Sequence, residues 1–251
     1  MGLFTKIVKK FRENSARKGC LCDLCGAEVF SYPNPRICNP CNSRMLYNNQ
    51  FTCEKCGRPA RGEGVCNTCK EVAHEFEKGV SAFAYFDFSA ASLNAFKNGK
   101  RYLSFYFAEE LAKTLSKLPP LEYTMVSVPL DKEKCRVRGY NQSEELVERL
   151  SSLTGLPYRL DLFEKRKRPD QKQLSISERR KNVAGAYRLL DKKYCQGKDF
   201  LVVDDVMTTG TTLSEIASVL LRAGANSLYV CTVASVPDRD YVSQTNRLAS
   251  M

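Results

Sequence analysis

The sequence predicts an α/β protein: a mainly parallel sheet over the C-terminal two-thirds, preceded by a small cysteine-rich module. Three observations carry this expectation. Beyond residue 80, short apolar runs alternate with amphipathic stretches of helical length, the pattern of successive βαβ units. Nine of the twelve cysteines fall between Cys20 and Cys69. The composition is that of a globular chain, with 251 residues, 43% hydrophobic, 27% charged and only 14 Gly and 10 Pro. That balance excludes collagen-like, low-complexity and globally disordered classes. No apolar run reaches the ~18 residues that a membrane-spanning helix needs. The N-terminus lacks an apolar core followed by a small-residue cleavage site, so a cytoplasmic location is expected.

Residues 1–19 read as a basic amphipathic helix. Leu3, Phe4, Ile7, Val8 and Phe11 share one face, with Lys6, Lys9 and Lys10 opposite. Such a face either packs on its own protein or rests on anionic lipid, so peripheral contact with the inner membrane face is a second option.

In the next segment, 20–75, eight cysteines form four C-x-x-C pairs: Cys22/Cys25, Cys38/Cys41, Cys53/Cys56 and Cys66/Cys69. Two residues between thiols let one tight turn offer both sulfurs to a tetrahedral Zn²⁺, and a second turn completes the set. CxxCG opens each half of the segment, with Gly26 and Gly57 suited to a turn needing positive φ. We therefore expect two Cys₄ sites, the first pair joined to the second and the third to the fourth. The short gaps between pairs leave an interleaved scheme open. Closed four-thiolate sites have no vacant position, so the expected role of zinc is structural. A disulfide framework would need an oxidising compartment, which the N-terminus does not predict.

From 80 to 240, VSAFAYF, TMVSVPL, FLVVDD and SLYVCTVA read as strands. RYLSFYFAEELAKTLSKL, SEELVERLSSL (stopping before Gly155) and TLSEIASVLLRAG read as helices, leaving 241–251 as a tail. The aromatics of KRYLSFYF recur at helical spacing and suit a core better than a stacking platform. Ligands in open α/β sheets bind beyond the carboxyl ends of the strands, which directs attention to FLVVDDVMTTGTTLSEI. There Asp204 and Asp205 end a buried run. Thr208, Thr209, Gly210, Thr211 and Thr212 then turn into a helix, presenting backbone N–H groups and hydroxyls to a phosphate. No G-x-x-x-x-G-K-[ST] is present, so this is not an ordinary nucleotide P-loop. Paired acids beside a phosphate cradle call for hydroxyls or a cation. A ribose 5-phosphate satisfies both halves, its 2′- and 3′-hydroxyls facing the acids.

These residues resemble the PRPP-binding motif of type I phosphoribosyltransferases, and the resemblance extends along the chain. SVPLDKEKCRVRGYNQSEEL is similar to the strand, pyrophosphate loop and helix of the ComF (competence protein F) family, through Arg138, Gly139, Tyr140, Asn141 and Gln142. RKRPDQKQLSISERRKNVAGAY resembles its basic flexible segment, with Arg168 where many members have Thr. The double zinc ribbon belongs to the same family, so the likeness runs over residues 20–236. It implies PRPP as ligand, with Mg²⁺ accompanying it. Asp204 and Asp205 are then both ribose ligands and the candidate catalytic acids, because the one histidine, His74, lies beside the last cysteine pair and is expected only to pack. Leu130, Asp131, Lys132 and Arg138 become the pyrophosphate loop. Arg166, Gln171, Arg179, Arg180 and Asn182 fall in the flexible loop. The implied role is in DNA uptake, with single-stranded DNA and uptake-machinery proteins as partners. A catalytically active transferase acting on a nitrogenous base or amine is the alternative, and the oligomeric state is left open.

The formal charge of +11 is concentrated. Residues 1–19 carry six basic side chains against one acidic, and 164–182 carry eight against three. Nearly all the excess thus sits in one predicted helix and one predicted loop, where phosphates could be met.

Overall fold

A computed structural model describes residues 21–29, 36–48, 51–166 and 185–241. The predicted N-terminal helix, Cys20, the flexible-loop residues Gln171, Arg179, Arg180 and Asn182, and 242–251 of the tail lie outside them.

Two short helices belong to the cysteine-rich segment, α1 (Asn39–Arg44) and α2 (Asn67–Glu71). Each begins at a cysteine, Cys38 and Cys66, so that the second thiol of each pair sits one turn in. The α/β part follows as β1 (Lys78–Ala84), α3 (Asp87–Lys97), α4 (Leu103–Thr114), β2 (Thr124–Ser127), α5 (Lys132–Arg138) and α6 (Gln142–Thr154). It continues with β3 (Phe163–Lys165), β4 (Tyr187–Leu189), β5 (Asp199–Met207), α7 (Thr211–Arg222) and β6 (Ser227–Ser235). Strands β1, β6, β5 and β2 lie in that order in one sheet, all parallel, while β3 and β4 form a separate antiparallel pair.

Side chains alternate through the sheet and build a core on each face. Met125, Leu201, Val203, Cys231 and Val233 point into one layer, against Leu93 and Phe96 of α3, Tyr106, Phe107 and Leu111 of α4, and Leu146 and Leu150 of α6. Val126, Phe200, Val202, Leu228 and Val230 point into the other, against Leu213, Ile216 and Leu220 of α7. Of the KRYLSFYF aromatics, Tyr106 and Phe107 are buried in the first layer and Tyr102 packs against it, while half-buried Phe105 lies under the Arg36 and Arg149 guanidinium groups, 4.3 and 3.9 Å from its centroid.

Among the described residues, the cysteine segment has no separate core. Cys22, Val29, Ile37, Cys41 and Met45 join the first layer, and Cys53, Cys56, Cys66 and Phe76 join the second. It straddles the outer edge of β1 and hydrogen-bonds along it. Asn48 N donates to Ala82 O (2.9 Å), Ala84 N to Leu46 O (2.7 Å) and Gly79 N to Lys55 O (2.7 Å). The buried Asn48 amide donates to Ser81 Oγ at 2.7 Å, pinning the same edge. At the opposite edge, Met125 of β2 bridges Tyr158, so that edge is covered at Met125.

Among the described residues, the closest backbone-to-backbone approach at a glycine lies between Gly57, after the third C-x-x-C pair, and Gly79 in β1. Gly57 holds φ +71°, and a Cβ there would lie 2.4 Å from Gly79 O and 2.7 Å from Val80 Cα. Neither backbone can yield. Gly57→Ala is therefore expected to lower unfolding free energy by about 3 kcal/mol or more, from positive φ plus overpacking. Gly26→Ala, at φ +77° with nothing within 4 Å, should cost only the backbone share, about 1 kcal/mol. Chemical denaturation of the two variants checks the contrast.

Candidate functional site: an acidic pair before a threonine turn

Both acids lie inside β5, which runs on to Met207, rather than beyond its end. Residues 208–210 form the turn, and α7 starts at Thr211 behind Gly210, whose φ is +78°. Thr209 Oγ1 and Thr211 Oγ1 share a hydrogen bond of 2.8 Å. A Cβ on Gly210 would stand 2.7 Å from His74 Cε1, so the imidazole rests directly on the turn. His74 is buried and stacks on Phe76 with ring centroids 4.8 Å apart.

The two carboxylates have different company. Asp205 pairs with Lys97 Nζ at 3.2 Å, a lysine at the end of α3. Asp204 Oδ1 accepts from Ser143 Oγ (2.6 Å) and from the Asp205 amide (2.9 Å). Burial pushes the Asp204 carboxyl up to about 7, and the charge of Asp205 pushes the same way, against the stabilising bonds from Ser143 and the Asp205 amide. Acids whose environments differ so sharply are a recurring mark of binding and catalytic sites.

Ser143 belongs to the segment predicted to carry the pyrophosphate loop, which therefore meets the acids directly. Asn141 caps α6 by accepting from Ser143 N (3.1 Å), and its amide donates to Val128 O (3.1 Å) at the end of β2. Only Leu130 and Asp131 of the predicted loop are loop. Asp131 accepts from Glu133 N at 3.0 Å and so nucleates α5, which takes in Lys132 and Arg138. Arg138 Nη1 donates to Gln142 Oε1 (2.8 Å), and Lys132 Nζ donates to Glu164 Oε1 (3.3 Å) on β3. Exposed Arg166 begins the basic segment, its amide bonded to Ala186 O at 2.9 Å. The segment's other end is held at α7, where Gly185 N donates to Glu215 Oε1 (2.6 Å). Tyr187 is buried beside this site, its hydroxyl pushed up to about 12 by burial and by the negative charge of Asp204. Sequence reasoning missed Lys97, Ser143 and Tyr187. Ser143 lies within the quoted NQSEEL stretch, but nothing in the local sequence marks Lys97 or Tyr187.

The cysteines gather as two groups, Cys22/Cys25/Cys38/Cys41 and Cys53/Cys56/Cys66/Cys69, with sulfurs in each within 4.8 Å of one another. This is the sequential scheme. Sulfur separations of 3.7 Å (Cys25–Cys38) and 3.8 Å (Cys53–Cys69, Cys56–Cys66) match the roughly 3.8 Å edge of a tetrahedron with 2.3 Å Zn–S bonds. Hydrogen bonds from Cys56, Cys66 and Cys69 drive the Cys53 thiol well below its ordinary value, while Cys66 and Cys69 are pushed up by Cys53. Thiols competing for protons in this way form a donor set that a dication would satisfy.

Comparison with known proteins agrees with this arrangement. The family model for the phosphoribosyl transferase domain matches residues 102–247, more than half of the chain, so the protein is a member of the phosphoribosyltransferase domain family. It is 31% identical to "DNA utilization protein YhgH" of Escherichia coli O157:H7 over 209 residues, covering 77% of this chain and 88% of that one. "Competence protein ComFC" of Bacillus subtilis is 28% identical over 202 residues (76% and 80%). "Competence protein F" of Haemophilus influenzae is 28% identical over 226 residues (86% and 91%). The chain belongs, within the wider class, to the ComF family, with two Cys₄ groups that fit a double zinc ribbon joined to a phosphoribosyltransferase fold.

The Asp204 shift has a measurable consequence. Its folded pKa of about 7 lies above the ~4 of an unfolded aspartate, so between those values the folded state holds more protons. The group's contribution to stability thus falls as pH rises from about 4 to 7 and stays low above that. Asp204→Asn escapes this cost. In thermal melts without ligand, the variant should gain on the wild type through that window, with the difference largest at pH 8 and vanishing near pH 4.

Proposed function

We propose that the protein binds PRPP and acts in competence-related handling of single-stranded DNA. The single observation that carries this is the Asp204/Asp205 pair leading, along one strand, into the Thr208–Gly210 turn and the start of α7. The turn's N–H groups and the Thr208, Thr209, Thr211 and Thr212 hydroxyls hold the 5-phosphate, aided by the positive end of α7. Asp204 and Asp205 accept from the ribose 2′- and 3′-hydroxyls, with Lys97 offsetting the charge of Asp205. Leu130 and Asp131 offer backbone groups to the pyrophosphate, with Lys132, Arg138 and Arg166 as its cationic surroundings. Mg²⁺ arriving with PRPP would neutralise the pyrophosphate and template its departure. Each Cys₄ group holds a structural Zn²⁺. Residues 20–75 and 80–240 are the two functional units of a cytoplasmic protein. The basic charge of 1–19 and 164–182 is available to nucleic acid or an anionic membrane surface.

Support for the DNA-related role comes from the relatives named for competence and DNA utilization. Among the described residues no cluster assignable to an acceptor base favours the transferase reading over it, and turnover is left to experiment. Calorimetric titration with PRPP and Mg²⁺ should show binding by the wild type and at least about a hundredfold loss in Asp204→Ala/Asp205→Ala, since each charged hydrogen bond is worth about tenfold or more. Equal, absent binding in both proteins would sink the PRPP assignment. A single-stranded DNA isotherm that weakens steeply with salt, without pyrophosphate release over a panel of bases, is the expected pattern; turnover with any base would instead mark an enzyme. Metal analysis should return two zinc ions per chain.

A further inference from the structure

We propose that Arg58 is a positioning residue that carries the state of the second cysteine group to the phosphate turn. The proposal rests on the phosphate site described above, but its geometry stands separately. Arg58 is 3% exposed. Its guanidinium is divided among three acceptors: Nε donates to Cys56 Sγ (3.2 Å), Nη1 to Thr68 Oγ1 (3.2 Å) and Nη2 to Thr208 O (2.7 Å). Two of these lie in the cysteine group and its helix α2. The third is the main chain of the turn, 150 residues further along.

The Thr208 carbonyl matters because a trans peptide is planar, so the carbonyl and the N–H of the next residue point in opposite directions. Holding Thr208 O towards the cysteine group aims the Thr209 N–H the other way. The bond therefore fixes the orientation of one donor that an arriving phosphate must find already in place, which is preorganisation of the kind that raises affinity without adding a contact. Arg58 is itself held by its surroundings. A buried guanidinium needs a counter-charge, and four thiolates around a dication keep a net charge of two minus. Thr68 is fixed from behind by Asp238, whose Oδ1 accepts from Thr68 Oγ1 at 3.0 Å while Oδ2 accepts from Asn67 N at 3.2 Å. The packing of His74 on Gly210 adds a second point of contact to the same turn. Loss of the metal would release Arg58, and with it the Thr208–Thr209 peptide.

The test uses the full chain, with inorganic phosphate as the probe, in nuclear magnetic resonance titrations of wild type, Arg58→Gln and Arg58→Lys. Zinc content is measured on each. In Arg58→Gln with both zinc ions bound, the Thr209 amide resonance should move even without phosphate, and apparent phosphate affinity should fall about tenfold, the scale of one lost charged hydrogen bond. Arg58→Lys, which keeps the charge but cannot reach three acceptors, should fall between. An unmoved Thr209 resonance, or affinity within about twofold of wild type, overturns the proposal. Titrating a chelator into the wild type covers variants that fail to keep their metal. There the Thr209 resonance must move before those of β6; movement only together with β6 reports general unfolding and equally overturns it. If the wild type shows no response to phosphate, the phosphate site itself is wrong, and Arg58 is then judged on the Thr209 resonance alone.

Discussion

The rest of the structure depends on the hydrogen bonding of strand β1. On one side β1 is paired with β6, and on the other with the main chain of the cysteine segment at Leu46, Asn48 and Lys55. A sheet edge buried without partners would strand a row of N–H and C=O groups, each costing about 1–3 kcal/mol. Here those groups are met by a segment that has little apolar mass to hold itself together. The dependence runs both ways, since the cysteine turns stand on β1 and β1 is completed by them. The close approach of Gly57 to Gly79 is the place where this mutual fit leaves no room for a side chain.

From that edge the chemistry follows by short paths. The second cysteine group lies on the face that carries α7, so Arg58 and His74 reach the turn at the start of that helix. The other face carries α3 and α6, which deliver Lys97 and Ser143 to the two acids. The site is thus assembled from both layers of the sheet at the carboxyl ends of its strands. Its instability is local: the Asp204 carboxyl, pushed up to about 7 by burial and by the neighbouring Asp205, lowers stability at neutral pH.

Much of this was legible in the sequence, for identifiable reasons. The strand cores of FLVVDD and SLYVCTVA are near-continuous apolar runs with several valines, the pattern of a strand buried on both faces. The four C-x-x-C pairs announced their grouping, and TTGTT announced a tight turn into a helix. Other parts were hidden by physics that is not local. Helix α3 begins at DFSAAS, a stretch too small and polar to show a strong stripe, and Lys97 finds Asp205 only when β5 and α3 come together. Strands β3 and β4 are three residues each and pair across more than twenty residues. Lys132 and Arg138 looked like loop because the cap supplied by Asp131 turns a polar run into a helix. The cysteine segment read as a separate unit by composition, yet its apolar side chains complete two cores that belong to the sheet.

The order of strands has a consequence for how the chain is made. β1 leaves the ribosome early, but its sheet partner β6 is the last strand among the described residues, with Val80 opposite Cys231. Loop closure over so long a separation is slow, and it cannot begin until the C-terminal strand has emerged. Until then the cysteine segment is the main chain that hydrogen-bonds along β1, with α3 and α4 packed on one face, and a core built without β6 exposes apolar surface to other nascent chains. Early metal capture by the cysteine turns would shield one flank of that strand during synthesis. The module that ends as a structural brace would thus have served first as a temporary companion to an unfinished sheet.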